Sequence, residues 1–169
     1  DRLRQKLLLK AAKQSSKGVN LKTYRNAIDE AVDTGRFVDY HEAYGYAQGI
    51  EEAVDSIEDL FKEGHATEVI DLAEHALEAV EGAIGSMDDS DGHMGGILGK
   101  LQELHQAACR KARPDPEKLA KRLFEWELKT DYDTFFGAVN AYEDVLGEKG
   151  LAVYRKLAEA EWARVPART

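Results

Sequence analysis

The sequence has too few cysteines, prolines and long apolar runs for several classes of protein. Its single cysteine, Cys109, excludes an internal disulfide and any zinc site built from several cysteines. Only three prolines occur, and Val, Ile and Thr are sparse beside Ala, Leu and Glu, which argues against a large sheet. No apolar run approaches the roughly 20 residues that cross a bilayer, and no signal peptide is recognisable. A cytoplasmic location without a membrane partner is therefore predicted.

Charge is distributed unevenly along the 169 residues. Residues 1–25 carry eight Lys/Arg and one Asp, whereas residues 26–105 carry three Lys/Arg and twenty Asp/Glu. The middle section therefore has a net charge of −17, which repels nucleic-acid backbones. Only the basic N-terminal segment could contact nucleic acid, through Arg2, Arg4, Lys6, Lys10, Lys13 and Lys17. The favoured interpretation of this segment is a helix that is solvated or docked on the acidic middle.

Apolar residues recur at the three-and-four spacing of an amphipathic helix along most of the chain. The clearest helix is predicted over residues 66–84, where an apolar stripe lies opposite a row of carboxylates. A helix over residues 39–63 should bury a stripe that begins with Tyr40 and Tyr44, and Gly64 should end it in a left-handed conformation. The remaining helices are predicted over residues 1–14, 21–33, 93–112, 116–128, 132–146 and 149–165. Asn20 can cap the helix that begins at residue 21, Pro116 can occupy a first helical turn, and Gly147 or Gly150 should separate the last two helices.

These helices predict an all-α protein in which residues 1–169 form a single helical-repeat domain. A Leu-Ala-Glu or Leu-Ala-Lys motif begins at Leu72, Leu119 and Leu157, at spacings of 47 and 38 residues. Tetratricopeptide and HEAT repeats have similar periods, roughly 34–47 residues. We therefore expect stacked antiparallel helix pairs in an α-α superhelix, with a closed bundle as the alternative. The predicted pairs are residues 37–86, 93–129 and 132–165, and residues 1–17 form a basic N-terminal helix.

Two polar clusters resemble metal sites without completing one. Asp71, His75 and Glu78 share one helix face, where a histidine between two carboxylates could hold a divalent metal. A solvated acidic face is the favoured interpretation. His105 and Cys109 lie one turn apart, but two ligands do not make a zinc site, and cysteine is commonly buried as a small apolar residue. The sequence therefore predicts no metal and no cofactor.

Two runs of sequence resemble the region downstream of the zinc finger in bacterial SWIM zinc-finger proteins. They are VIDLAEHALEAVEGAIGSMDDSDGHMGGILGKLQELHQAACRKARPDPEKLAKRLFEWEL and YEDVLGEKGLAVYRKLAEAEW. A SWIM finger needs a Cys-x-Cys and a Cys-x-His, so a chain with one cysteine lacks the finger and its zinc ligands. The resemblance, which covers most of residues 36–165, implies the helical portion of such a protein. Because the chain opens on Asp1 and ends in VPART, it is expected to be a piece of a longer protein.

Together these features predict a non-catalytic scaffold that binds another protein or another part of its own chain. Stacked helix pairs present an extended surface, and an acidic surface favours a basic partner. The candidate partner-binding face consists of six carboxylates: Glu51, Asp55, Glu58, Glu74, Glu78 and Glu81. The alternatives are nucleic-acid binding through the basic N-terminal segment and an enzyme or metal protein that uses the His75 cluster.

Overall fold

A computed structural model describes residues 2–13 and 18–167, including their side chains except those of Ala12 and Lys13. This part of the chain contains eight α-helices and no strand, only an isolated bridge between Val38 and Met87, so the all-α prediction is confirmed. The helices are α1 (Arg2–Lys13), α2 (Leu21–Val32), α3 (Tyr40–Lys62), α4 (Ala66–Ile84), α5 (His93–Ala112), α6 (Pro116–Lys129), α7 (Ala138–Ala141) and α8 (Glu143–Trp162). None of these helices is long and apolar enough to span a membrane.

The chain divides into two compact units, the first ending at Ala108 and the second beginning at Cys109. Helix packing within each unit is consistent with both a stacked repeat and a closed bundle. The superhelical arrangement of helix pairs therefore stays a prediction.

Local polar caps and one glycine set the helix ends in the first unit. The Asn20 side chain accepts a hydrogen bond from the Thr23 backbone N–H at 3.3 Å, as the sequence predicted for the start of α2. Asp39 caps α3 by accepting hydrogen bonds from two backbone N–H groups of the first turn. Gly64 has a φ of 93°, so the predicted left-handed residue after α3 is confirmed.

The apolar stripe of α4 forms the centre of the first unit, where α4 packs against α2 and α3. Its fully covered residues are Val69, Leu72, Ala73, Ala76, Leu77 and Val80. On α3, Ile50, Val54, Ile57 and Leu60 are buried to the same extent. Burying each large apolar side chain contributes about 1.5–3 kcal/mol, so these helix faces supply most of the driving force for folding this unit.

The start of α3 departs from the predicted burial. Tyr40 and Tyr44 are 51% and 62% exposed, so their assignment to the core was wrong. Ala43 and Ala47 occupy the buried positions instead. Because successive helix residues are separated by about 100°, Tyr44 lies well to one side of the face that Ala43 buries. The core at this end of α3 is therefore filled by small side chains, and the tyrosines lie on the surface.

In the second unit, α6 packs against α8. Pro116 begins α6, as predicted, and the Asp115 side chain accepts a hydrogen bond from the Lys118 backbone N–H at 2.9 Å. Gly150 of α8 lies so close to the Pro116 carbonyl that a Cβ placed on this glycine would be 3.0 Å from the carbonyl oxygen. This glycine therefore allows α8 to approach the start of α6.

The predicted helix over residues 132–146 was wrong over its first six residues, 132–137. Phe135 and Gly137 have φ values of 59° and 69°, and such left-handed residues interrupt a right-handed helix. Only the short α7 and the first turn of α8 remain helical there. α8 is then broken at Gly147, whose φ of 57° and ψ of −168° are accessible to glycine almost alone. Of the two glycines at which the sequence predicted a break, Gly147 and Gly150, the structure has it at Gly147.

Candidate protein-binding surface

The six carboxylates of the predicted acidic face have different environments. Glu74 Oε1 of α4 lies 2.9 Å from Nε2 of His105 in α5, and its side chain is only 16% exposed. His105 itself is fully buried. Glu74 therefore provides a polar contact for the ring of a buried histidine, and it belongs to the packing of α4 against α5. Farther along α4, Glu78 is exposed and Glu81 is half-buried.

The three α3 carboxylates of the predicted face lie on one side of that helix. Glu51 is exposed, and Asp55 forms an ion pair with Lys100 of α5. Glu58 lies 3.1 Å from Lys62 Nζ and 3.3 Å from Lys100 Nζ. Hydrogen bonds from Lys62 and then Lys100 lower the pKa of the Glu58 carboxyl, so this group stays ionised well into the acid range.

The exposed tyrosines extend the same side of α3 toward its N-terminus. We name this surface the α3 stripe, which consists of Tyr40, Tyr44, Glu51, Asp55 and Glu58. At about 100° per residue these five positions fall within about 60° of one another. The Tyr44 ring meets the ring of His93 edge to face, with centroids 5.9 Å apart, and the Tyr44 hydroxyl accepts a hydrogen bond from Gln48 Nε2 at 2.8 Å. The aromatic end of the stripe is thus held in place while it is exposed.

Tyrosines beside carboxylates suit the binding of a basic partner. A tyrosine ring buries a large area at low entropic cost and attracts a cation over its face, and interface hot spots are enriched in tyrosine. Carboxylates pair with the lysine or arginine groups that such a partner brings. The α3 stripe therefore offers an apolar anchor and a charged contact on one helix.

Residues 2–13 of the basic N-terminal segment form α1, which packs against α2 within the first unit. Gln5 Nε2 donates to the Ala27 carbonyl at 3.4 Å, and Arg2 Nη1 lies 3.5 Å from a Glu52 carboxylate oxygen. Exposed basic side chains of this helix are Arg2, Arg4, Lys6 and Lys10. The Lys13 side chain and Lys17 lie outside the described residues.

α1 also carries the most exposed leucines of the described chain. Leu3 and Leu7 are 68% and 59% exposed, and Leu8 is about half exposed. Leu3 and Leu7 lie on the outside of α1, because Gln5 and Arg2 face the body of the unit, whereas Leu8 lines a cavity with Gln5 and Glu30.

The predicted His75 cluster joins two helices. His75 Nε2 lies 2.7 Å from Asp29 Oδ1 of α2, and Asp71 forms an ion pair with Arg25 of the same helix. Both pairs connect α4 to α2, and Glu78 takes no part in them. Throughout residues 2–13 and 18–167, no three His, Cys, Asp or Glu side chains come together as a metal site.

A cavity of about 500 Å³ opens beside the connection between α2 and α3. Arg36 lines it, but both guanidinium Nη atoms bind Glu42, at 2.6 and 2.7 Å. Asp33, the other charged lining residue, accepts a hydrogen bond from the Gly35 backbone N–H. The charged side chains of this cavity are therefore used in local structure, and we do not assign a reaction to it.

Two features of the structure were missed in the sequence: the burial of His105 and the exposure of Tyr40 and Tyr44. Only the first of them left a signal in the sequence. His105 stands four residues after the buried Leu101 and three before the buried Ala108, so its spacing places it on the apolar face of α5. A polar residue at such a position needs a buried partner. No comparable signal marks Tyr40 and Tyr44, whose exposure depends on which neighbouring helix covers α3.

The fold and this surface define an all-helical protein with exposed aromatic, apolar and charged helix faces. The chain belongs to DUF6880, a family of unknown function whose model matches residues 2–169. No curated protein and no solved structure shows a significant match to the chain.

Proposed function

We propose that this domain is a non-catalytic helical scaffold that binds a basic, partly apolar segment of a partner protein at the α3 stripe. The observation that carries the proposal is the exposure of Tyr40 and Tyr44 on the same side of α3 as three carboxylates. Two large rings left in water four residues apart have no role in the core of the first unit. Their exposed position supports a role in binding, in which a partner covers both rings and removes them from water.

Electrostatics favours a basic partner for this surface. Residues 26–105 have a net charge of −17, so a cationic segment is attracted before contact and associates faster at low salt. The exposed Glu51 can form a new ion pair, whereas Asp55 and Glu58 share Lys100, which a partner's guanidinium would displace or supplement. We therefore assign the cationic contact chiefly to Glu51 and the apolar contact to the two tyrosines.

The test uses a fluorescent peptide that carries leucines and lysines on opposite faces, with a matched peptide that has glutamate in place of lysine. We expect the basic peptide to bind and the acidic peptide to fail. Replacing both tyrosines, Tyr40→Ser with Tyr44→Ser, should weaken binding at least tenfold, since each hot-spot tyrosine contributes about 2 kcal/mol or more. Phe136→Ser is the matched control, because it removes an exposed aromatic ring of the second unit. Equal binding by the double variant and the wild type would refute the proposal.

The resemblance to SWIM zinc-finger proteins supports a further part of the same proposal. In that setting the domain would act beside a finger of the same longer protein and bring a basic partner to it. The reading frame upstream of this sequence provides the test. A Cys-x-Cys followed by a Cys-x-His in that frame is the expected result, and a frame without them contradicts the association.

A further inference from the structure

We propose that copies of this chain associate head to tail, with the leucine face of α1 in one copy docked on the α3 stripe of the next. The leucine face consists of Leu3 and Leu7 with the flanking Lys6 and Lys10. The inference rests on the proposed function, because it assigns the basic, partly apolar partner of the α3 stripe to α1 of a second copy.

The two sides of α1 have different roles. Gln5 contacts α2 within the same copy, and Leu3 and Leu7 are each two residues away from it. Two residues correspond to about 200° around a helix, so both leucines point away from the body to which α1 is docked. Their large exposed fractions agree with this orientation. Lys6 and Lys10 are exposed at one edge of this face, where they also line a cavity with Glu52, Asp55 and Asp59 of the same copy. The surface is therefore apolar at its centre and cationic at the edge that borders this cavity.

The spacing of this face matches the α3 stripe. The two leucines are four residues apart, as are Tyr40 and Tyr44, and in both helices four residues span about 6 Å. With the helices docked in parallel, Lys10 lies about 10.5 Å beyond Leu3, and Glu51 about 16.5 Å beyond Tyr40. An extended lysine side chain covers this difference of about 6 Å. Leucines can therefore meet tyrosines while the lysine reaches the carboxylate.

Charge decides between the possible pairings of these surfaces. Two leucine faces packed together would bring Lys6 and Lys10 of both copies into one contact, where like charges repel. Two α3 stripes packed together would do the same with carboxylates. The unlike pairing places cations against carboxylates and leucines against tyrosines. Copies joined by this head-to-tail contact form an open chain with one unused surface at each end, unless the rotation between copies closes the chain into a ring.

The first measurement is sedimentation velocity of the whole chain from about 5 µM to about 500 µM, since so small an interface implies weak binding. The average mass should rise above that of the monomer as the concentration increases, continuously for an open chain and to a fixed mass for a closed ring. A variant of the leucine face, Leu3→Asp with Leu7→Asp, should stay monomeric. So should a stripe variant, Tyr40→Asp with Tyr44→Asp. All four positions are exposed, so the substitutions should not disturb the core. Circular dichroism checks that both variants fold. Leu7→Ser and Tyr44→Ser are milder replacements for use where an aspartate variant does not fold.

Mixing the two variants gives the decisive result. Each variant keeps the surface that the other lacks, so an equimolar mixture should form a dimer that grows no further. The absence of this dimer would overturn the proposal. A wild type that stays monomeric would also overturn it. So would loss of association in the leucine-face variant but not in the stripe variant, because that result indicates a symmetric contact between α1 helices. If the wild type is monomeric but the stripe still binds the basic peptide, the proposed function stands without self-association.

Discussion

The buried pair between Glu74 and His105 gives the sharpest prediction about stability. His105 has no exposed surface, and its ring Nε2 lies 2.9 Å from the carboxylate oxygen Oε1 of Glu74. In Glu74→Leu the carboxylate is lost while the imidazole stays buried. Leaving one buried polar group without its partner costs about 1–3 kcal/mol. For a chain of this length that loss lowers the melting temperature by about 2–12 °C.

A double-mutant cycle measures the coupling of the pair. His105→Leu should also destabilise the domain, because it leaves the partly buried carboxylate without the histidine. Replacing both residues by leucine removes both polar groups from the interior, which can be nearly neutral. We therefore expect the double variant to be more stable than the sum of the two single losses predicts, by about 1–2 kcal/mol.

Urea denaturation followed by circular dichroism at 222 nm provides the free energies of unfolding. Glu78→Leu is the matched control, since Glu78 lies one turn farther along α4 and is exposed. Its effect should stay within about 0.5 kcal/mol. If Glu74→Leu were as harmless as this control, Glu74 would not compensate His105 and would return to the candidate partner-binding face.

Three further predictions concern the second unit. Thr134 Oγ1 is buried without a hydrogen-bond partner among the described residues, so Thr134→Val should be neutral or stabilising by up to about 1 kcal/mol. Thr130→Val is the control and should destabilise the domain in the same urea assay, because the Thr130 hydroxyl accepts from a backbone N–H. Burial, and then the hydrogen bond donated to Glu127, raise the pKa of Tyr154. The folded state therefore holds the Tyr154 proton more tightly than the unfolded state does. The contribution of Tyr154 to the free energy of unfolding is complete below pH about 10, the pKa of a free tyrosine, and is lost as the pH rises above it. Tyr154→Phe should remove one late-titrating phenol from the absorbance at 295 nm, and an unchanged titration would contradict this. Gly147→Ala should cost about 1–3 kcal/mol by calorimetry, since alanine does not tolerate this backbone conformation, and an unchanged melting temperature would be the contrary result.

Sequence patterns predicted the features of the fold that depend on neighbouring residues. The apolar stripe of α4, the Asn20 cap and the left-handed Gly64 are all encoded within a few positions of the chain. The region around Phe135 was mispredicted because a phenylalanine rarely adopts a left-handed conformation. Its apolar spacing resembled a helix, while the packing of its ring against Trp126 and Tyr142 accompanies a different backbone.

The candidate surface was only half predictable from the sequence. Carboxylate positions on α3 follow from helical periodicity, which predicts that Glu51, Asp55 and Glu58 share one side of this helix. The outward position of Tyr44 depends on contacts between helices that are distant in the chain. Such contacts decide which flank of an amphipathic helix is covered, and no local pattern records them.

The pairing of Glu74 with His105 also predicts which residues occur together at these two positions in related sequences. A substitution at either position removes the side chain that the other residue contacts in the interior, so the two residues should change together among relatives of this chain. In an alignment of the family, an acid at position 74 should accompany histidine at position 105, and apolar residues should replace them jointly. Ancestors that crossed between these two states would have passed through a less stable intermediate.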